Sequence, residues 1–216
     1  MTLRRTLCTA TLALTGTLLV TVPAQAAPGD AVASGSAGAV HLQQGGAPVV
    51  VDPIAPCETG GQSQGSSGQV AVPNVATYNN SASTCTIDEA GEIASVEVTG
   101  GSFRFDALRA HGGPRIRLAS YTAKCNTTLT GSSSSIQFSG LSGVDVPEQL
   151  PANHVVTVPG ANGAPPIATI TFNELIVPSP ADGSMTVNLM HIRMFPQGGP
   201  VSGDATVGTV HCAPVN

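Results

Sequence analysis

Arginine is the side chain in this sequence best placed to do chemistry. Arg104, Arg109, Arg115, Arg117 and Lys124 lie within 21 positions, although the whole chain of 216 residues holds only eight Lys and Arg. If 103–108 and 115–124 form a hairpin, Phe103 and Phe105 point one way with Ile116 and Leu118. Arg104, Arg115 and Arg117 then share the opposite face, because strand side chains alternate with a period of two. Three guanidinium groups on one face form a candidate anion-binding patch. A guanidinium presents a rigid fork of donors suited to phosphate, sulfate or carboxylate. The ligands this implies are an anionic wall polymer, a sulfated glycan or an acidic protein. The competing reading is a solvated face whose charges are paired with Asp106 and neighbouring carboxylates.

The other reactive residue types do not assemble into a site. His41, His111, His154, His191 and His211 are scattered without metal-ligand spacing, so no metal or other cofactor is expected. His191 alternates with Leu189 and Val187, which predicts a partly buried, hydrogen-bonded imidazole within its strand. A zinc site from His191, His211 and a carboxylate is the remote alternative. Glu174 ends a strong strand and could serve as a general base, but no second carboxylate or histidine partner is identifiable. Asp88, Glu89, Glu92 and Glu97 match no calcium loop and read as an exposed acidic turn. Serine is plentiful without a Gly-x-Ser-x-Gly elbow. No catalytic residue is assigned, and the protein is expected not to be an enzyme.

The elements that must position the arginines are strands. Only 10% of residues are charged, against about 25% in ordinary soluble domains. Gly, Ser, Thr, Asn and Ala take their place, and most of the 17 prolines fall between apolar segments. Ile93–Thr99, 103–108, 115–124, 167–177, 185–195 and 205–211 alternate or are β-branched, and the last three carry the clearest strand patterns. Weaker signals lie at 39–42 and 136–138, and Val49, Val50 and Val51 read as a short buried strand. Residues 60–68 read as a loop and Ser132 to Ser135 as turn composition. With turn signals every 8–12 residues and no helical stretch, the fold class predicted is all-β. The architecture is an antiparallel β-sandwich in a single domain. Trp is absent, so Val, Ile, Leu and Ala must build most of the core.

The N-terminus sets the compartment. Arg4 and Arg5, an apolar Thr-studded run over 7–22, and Ala24-Gln25-Ala26 before Ala27 form a signal peptide over 1–26. The two arginines fit either ordinary secretion or twin-arginine export, with the ordinary route preferred. The mature chain is read as a loose N-terminal lead over 27–47 and a disulfide-stapled sandwich over 48–213. Thirteen acidic residues remain against six basic ones. That balance argues against nucleic acid and against attraction to anionic membranes. No stretch suggests a stable membrane anchor, so the product is expected to be secreted, extracellular or associated with the cell envelope.

Export also removes Cys8, leaving Cys57, Cys85, Cys125 and Cys212, an even set in an oxidising compartment. Three connectivities are possible. The preferred pairing is Cys57 with Cys85, closing a Gly/Ser-rich excursion, and Cys125 with Cys212, tying the last strand to mid-domain.

Three C-terminal blocks carry a resemblance. They are Ile167-Ala168-Thr169-Ile170-Thr171-Phe172-Asn173-Glu174, then Met185-Thr186-Val187-Asn188-Leu189-Met190-His191-Ile192, then Gly203-Asp204-Ala205-Thr206-Val207-Gly208-Thr209-Val210-His211-Cys212. Their pattern is Asn-Glu after an alternating strand, a Thr-Val-Asn-x-x-His strand, and a closing Gly-Asp-x-x-Val-Gly strand. With Ala123-Lys124-Cys125 and Phe138-Ser139-Gly140-Leu141 upstream, it resembles the choice-of-anchor P family of actinobacterial exported proteins over 93–212. The resemblance implies secretion or surface display and carries no catalytic activity. The function expected is a secreted, non-catalytic interaction or structural module. The alternative is a secreted hydrolase of unrecognised type.

Overall fold

The computed structural model describes residues 29–215, so the expected signal peptide lies outside the described residues. Among the described residues, sixteen strands run in chain order. The first five are β1 (Val32–Gln44), β2 (Ala47–Val51), β3 (Cys57–Glu58), β4 (Gln64–Ser67) and β5 (Val70–Val72). Next come β6 (Ala76–Asn79), β7 (Ser81–Ile87), β8 (Ala94–Gly100), β9 (Ser102–Phe105), β10 (Ile116–Leu118) and β11 (Ser120–Thr128). The last are β12 (Gly131–Ser139), β13 (His154–Val158), β14 (Ala168–Ile176), β15 (Met185–Met194) and β16 (Val201–Ala213). Every pairing is antiparallel. The all-β expectation therefore holds.

One layer is a seven-stranded sheet ordered β13-β14-β15-β16-β1-β2, with β3 added to β1. The facing layer comprises a five-stranded sheet, β12-β11-β8-β7-β4, and a four-stranded sheet, β10-β9-β6-β5. These two share a strand order, because β6 runs into β7 through Asn80, β8 into β9 through Gly101, and β10 into β11 through Ala119. The facing layer is thus one sheet creased across three adjacent strands. Asn80 makes its break with φ of 48°, a region Asn tolerates better than most residues.

The seven-stranded layer is interrupted along a matching line. Leu189 sits opposite Asn173 on β14 and Gly208 on β16, and Gly208 sits opposite Ala37 on β1, yet these pairs are missing from ladders whose register is unchanged on either side. Asn173 has φ of 49° and Gly208 φ of 62°. The inward-facing set changes parity at the line, so buried Ala205 and Val207 give way to buried Val210 and Cys212. Two carbonyls at or near this line accept bonds from across the core. Tyr121 donates its hydroxyl to Ala37 O at 3.0 Å and Tyr78 donates to Thr206 O at 2.8 Å. Burial pushes the Tyr121 hydroxyl up to about 12 and Tyr78 further still, so both remain protonated donors. Gly100 is required here, since a Cβ would stand 2.1 Å from the Tyr121 ring.

The core contains Phe103, Phe105, Ile116 and Leu118 from the creased layer, and Ile170, Phe172, Met190 and Ile192 from the other, all buried. Both disulfides cross between layers, Cys57–Cys85 joining β3 to β7 and Cys125–Cys212 joining β11 to β16. This is the preferred pairing, and it places the fold in an oxidising, extracellular-type environment. Among the described residues, no helix is long and apolar enough to cross a membrane.

Several local expectations need correction. Residues 32–44, expected as part of a loose lead, instead form β1, a central strand between β16 and β2. The domain therefore starts well before residue 48. The small residues Ala33, Gly35 and Ala37 that weaken the strand signal are what lets β1 approach the facing layer. A Cβ on Gly35 would lie 2.6 Å from Val96. The Val49–Val51 run is an edge with Val50 55% exposed. Gln64 to Ser67 form β4 within the expected loop, and Ser132 to Ser135 lie in β12. Edge strands with one solvated side need no apolar alternation, so polar residues suffice there.

Candidate functional site

The arginine face stands on the β6-β9-β10 portion of the creased layer. Arg117 lies directly across from Arg104, and Thr77 flanks Arg104 on the other side. Phe103, Phe105, Ile116 and Leu118 point into the core, leaving the alternate positions outside. Asp106 follows β9 and gathers two of the cations. Arg104 Nε donates to Asp106 Oδ2 at 2.7 Å, and Arg115 Nε donates to Asp106 Oδ1. Burial would raise the Asp106 carboxyl, but the guanidinium groups of Arg115 and Arg104 outweigh it and hold it below the usual range.

One carboxylate cannot neutralise this cluster. Arg109, on the short 3-10 turn Ala107–His111, lines the same depression of about 380 Å³ as Arg104, Asp106 and Arg115. A second hollow of about 210 Å³ adjoins it through Arg104 and includes Arg117. Among the described residues, Arg109 and Arg117 have no carboxylate partner. Beside them runs a polar chain in which Gln69 Nε2 donates to Asn79 Oδ1 at 3.0 Å and Asn79 Nδ2 donates to Ser102 Oγ at 2.9 Å. Arg104 adds a bond to Thr77 Oγ1. Lys124 belongs elsewhere, past the crease and paired with Glu97 at 3.1 Å.

A second constellation lies on the outer face of the seven-stranded sheet. His191 Nδ1 meets Glu174 Oε1 at 2.8 Å and His191 Nε2 meets Asp204 Oδ2 at 2.9 Å. Asn188 Nδ2 donates to Glu174 Oε2 at 2.7 Å, and Thr209 Oγ1 donates to Asn188 Oδ1 at 2.7 Å. Hydrogen bonding to Glu174 raises the His191 imidazole above its ordinary value, against the opposing effect of burial. Burial alone would raise the Glu174 carboxyl, but its bonds to His191 and Asn188 hold it lower. A carboxylate oxygen against each ring nitrogen favours the doubly protonated imidazolium over the neutral ring.

His191 is partly buried and hydrogen-bonded as expected, but two other expectations about these residues are overturned. His191 does not share a face with Leu189 and Val187, and Glu174 has both a histidine partner and a second carboxylate beyond it. The transverse interruption explains both. Asn188 and His191 are three apart, as are Glu174 and Thr171, and Thr209 and Thr206. In regular strands such pairs point to opposite faces. The change of parity at Asn173, Leu189 and Gly208 puts them on one face.

This network is chemically closed. Both imidazole nitrogens are engaged, on opposite edges of the ring, so His191 has no free nitrogen to activate a hydroxyl. Its carboxylates sit on separate sides and do not converge on one point. Among the described residues, no group of three or more His, Cys, Asp and Glu is arranged to hold a metal. His211 is occupied separately, with Nδ1 3.0 Å from Thr186 Oγ1. Asp88 Oδ1 accepts from the Glu92 and Ile93 amides, closing the acidic turn upon itself. No family model, curated protein or solved structure matches the chain.

Proposed function

We propose that this protein is a secreted, non-catalytic interaction module of the extracellular space or cell envelope, binding an anionic polymer through Arg104, Arg109, Arg115 and Arg117. The observation that carries this reading is the excess of guanidinium over carboxylate in one open double hollow on an otherwise acidic chain. Asp106 fixes the orientation of two guanidinium groups without consuming their remaining donors, since Arg115 and Arg104 each engage it through Nε. Preorganised forks lose less freedom on meeting a sulfate or phosphodiester. The Gln69, Asn79 and Ser102 chain offers polar contacts to sugar or glycerol hydroxyls next to the charged groups. A wall polymer or sulfated glycan fits this combination better than an isolated ion.

Membership of the choice-of-anchor P family is part of the proposal. Its three sequence blocks supply Glu174, Asn188 with His191, and Asp204, which meet in one network. That convergence supports treating the blocks as one structural motif. The rival hydrolase reading would have to use Glu174 and His191, and the occupancy of both imidazole nitrogens weighs against it.

The test is calorimetric titration with dextran sulfate and with poly(glycerol phosphate) at low salt. Native protein is expected to bind at least one, with affinity falling as salt rises. An Arg104→Ala/Arg115→Ala/Arg117→Ala variant should lose that binding while staying folded, with at most a small drop in melting temperature from the lost Asp106 pairs. Failure of the native protein to bind either polymer at low salt overturns the proposal.

A further inference from the structure

The molecule protects most of its strand edges. Such edges expose unpaired backbone donors and acceptors, and proteins blunt them with brevity, proline or charge. In the seven-stranded sheet, β2 contains Pro48, and β13 is a five-residue strand flanked by Pro151 and Pro159. In the creased layer, β4 has four residues and β5 three, with Pro73 next. The β10 edge is short and bridged to Ser142 from Arg117.

The exception is β12. It is nine residues long, Gly-Ser-Ser-Ser-Ser-Ile-Gln-Phe-Ser, with neither proline nor charge, and it pairs only with β11. Its first residue is covered by Gly183 of the connection between β14 and β15. From Ser133 to Phe138, among the described residues, no backbone bond reaches it from any element beyond β11.

This edge borders a cleft of about 850 Å³ between the two layers' open sides. Ile136 and Phe138 line one wall, and Leu150 and Leu175 the other. The far wall offers no competing edge. Asn153 caps β14 there, its N–H donating to Asn173 O at 2.9 Å and its Oδ1 accepting from Leu175 N at 2.8 Å. Glu148 is the charged residue lining the cleft.

We propose that β12 and this cleft form a docking site for an extended peptide that adds as a strand to the β12 edge. Backbone bonding to β12 would supply affinity irrespective of sequence, and side chains at alternate positions would supply selectivity. The apolar walls call for an apolar residue at every second position. Glu148 calls for a basic residue among them. A second copy of this chain does not meet that description. Its β12 has no basic residue, and Ile136 and Phe138 are already half-buried against the core. The site is distinct from the arginine face and selects the opposite charge.

The probe is a blocked, fluorescein-labelled decapeptide alternating Leu and Thr with one central Arg. Its controls replace that Arg by Glu, or carry N-methyl groups on alternate residues. Anisotropy should show native protein preferring the Arg peptide to both controls by about tenfold or more. Ser135→Lys, a charge placed on the exposed edge, should weaken binding by a similar factor in protein shown by circular dichroism to be folded, since Lys124 stands directly across from it. Glu148→Lys should reverse the preference between Arg and Glu peptides. Equal binding of the N-methylated peptide overturns strand addition, as does absence of binding at millimolar peptide. A native dimer that Ser135→Lys converts to monomer would assign the edge to a second copy and also overturn the proposal.

Discussion

The arginine face and the His191 network both collect charged residues on a solvated side of a sheet, but they end in opposite chemical states. Around Asp106 there are more cationic groups than one carboxylate can satisfy, and among the described residues Arg109 and Arg117 have no carboxylate partner. Around His191, the imidazole, Glu174, Asp204 and the Asn188 amide each have a partner within 3 Å. The first arrangement is open to a ligand; the second fastens β14, β15 and β16 together. A count of titratable residues would rank them alike. Their unsatisfied valences separate them.

The strongest way to break this contrast is to remove a support that serves both regions. Cys125–Cys212 joins β11, the continuation of β10 past the crease, to β16, which carries Asp204 and Thr209. Replacing both cysteines by serine opens a cross-link spanning 87 positions. The chain-entropy relation puts the loss at about 4–5 kcal/mol, read by urea denaturation. The equivalent change at Cys57 and Cys85, separated by 28 positions, should cost roughly 3–4 kcal/mol. Equal losses would mean that loop entropy is not what the bridges contribute.

His191→Gln acts on one region only. Losing the charged bonds to Glu174 should destabilise by roughly 1.5–3 kcal/mol in mildly acid solution. The pH dependence follows from the raised imidazole. Its contribution is fully present below the ordinary histidine value of 6.5 and declines as pH rises through the higher folded value. Glu174, held low, contributes above 4.5 and loses its share as pH falls through its folded value. Melting temperatures from pH 4 to 9 should therefore peak between these limits in native protein and flatten on the alkaline side in the variant. An unchanged alkaline slope would show that His191 is not the group responsible.

Gly208→Ala probes the transverse interruption itself. With φ of 62° and a new Cβ 3.1 Å from Leu189 Cβ, it should cost about 1–2 kcal/mol. It should also disturb the His191 proton resonance without altering polymer binding. A melting point equal to native would mean the strand can pass this level without the left-handed residue. The smallest effect belongs to Asp106→Asn. Its partner Arg104 is nearly half-exposed, so the stability loss should be no more than about 1 kcal/mol. The measurable change would be a shift in the salt dependence of polymer binding, and identical salt dependence would remove Asp106 from the site.

What could be read from the sequence follows the same division. The arginine face is built on a hairpin shorter than the expected arms 103–108 and 115–124. Only Phe103–Phe105 and Ile116–Leu118 pair, while 107–111 form a 3-10 turn and 120–128 run on past the crease. Alternation within the paired residues is regular on both arms. Period-two reasoning placed Phe103, Phe105, Ile116 and Leu118 on one side and the arginines on the other. The His191 network defeats that reasoning, because three strands change parity together and the cue is confined to Asn173 and Gly208. Neither residue signals a break alone, since Asn and Gly occur throughout the chain. What could have revealed it is the recurrence of polar pairs three apart, Thr171 with Glu174, Asn188 with His191 and Thr206 with Thr209, in successive strands. β1 escaped for another reason. Its alanines and glycines are selected by close approach to Val96 and Val98, a tertiary demand that leaves no strand propensity to detect.

The two bridges have a mechanical meaning beyond their effect on the unfolded chain. Each starts in one layer and ends in the other, so they act as rivets through a laminate. Pulling or solvating the faces apart cannot delaminate the sandwich while both remain closed. Damage must instead begin within a layer, at a strand margin or along the line where the ladders lapse. Against a protease, the places to defend are thereby reduced to the rim.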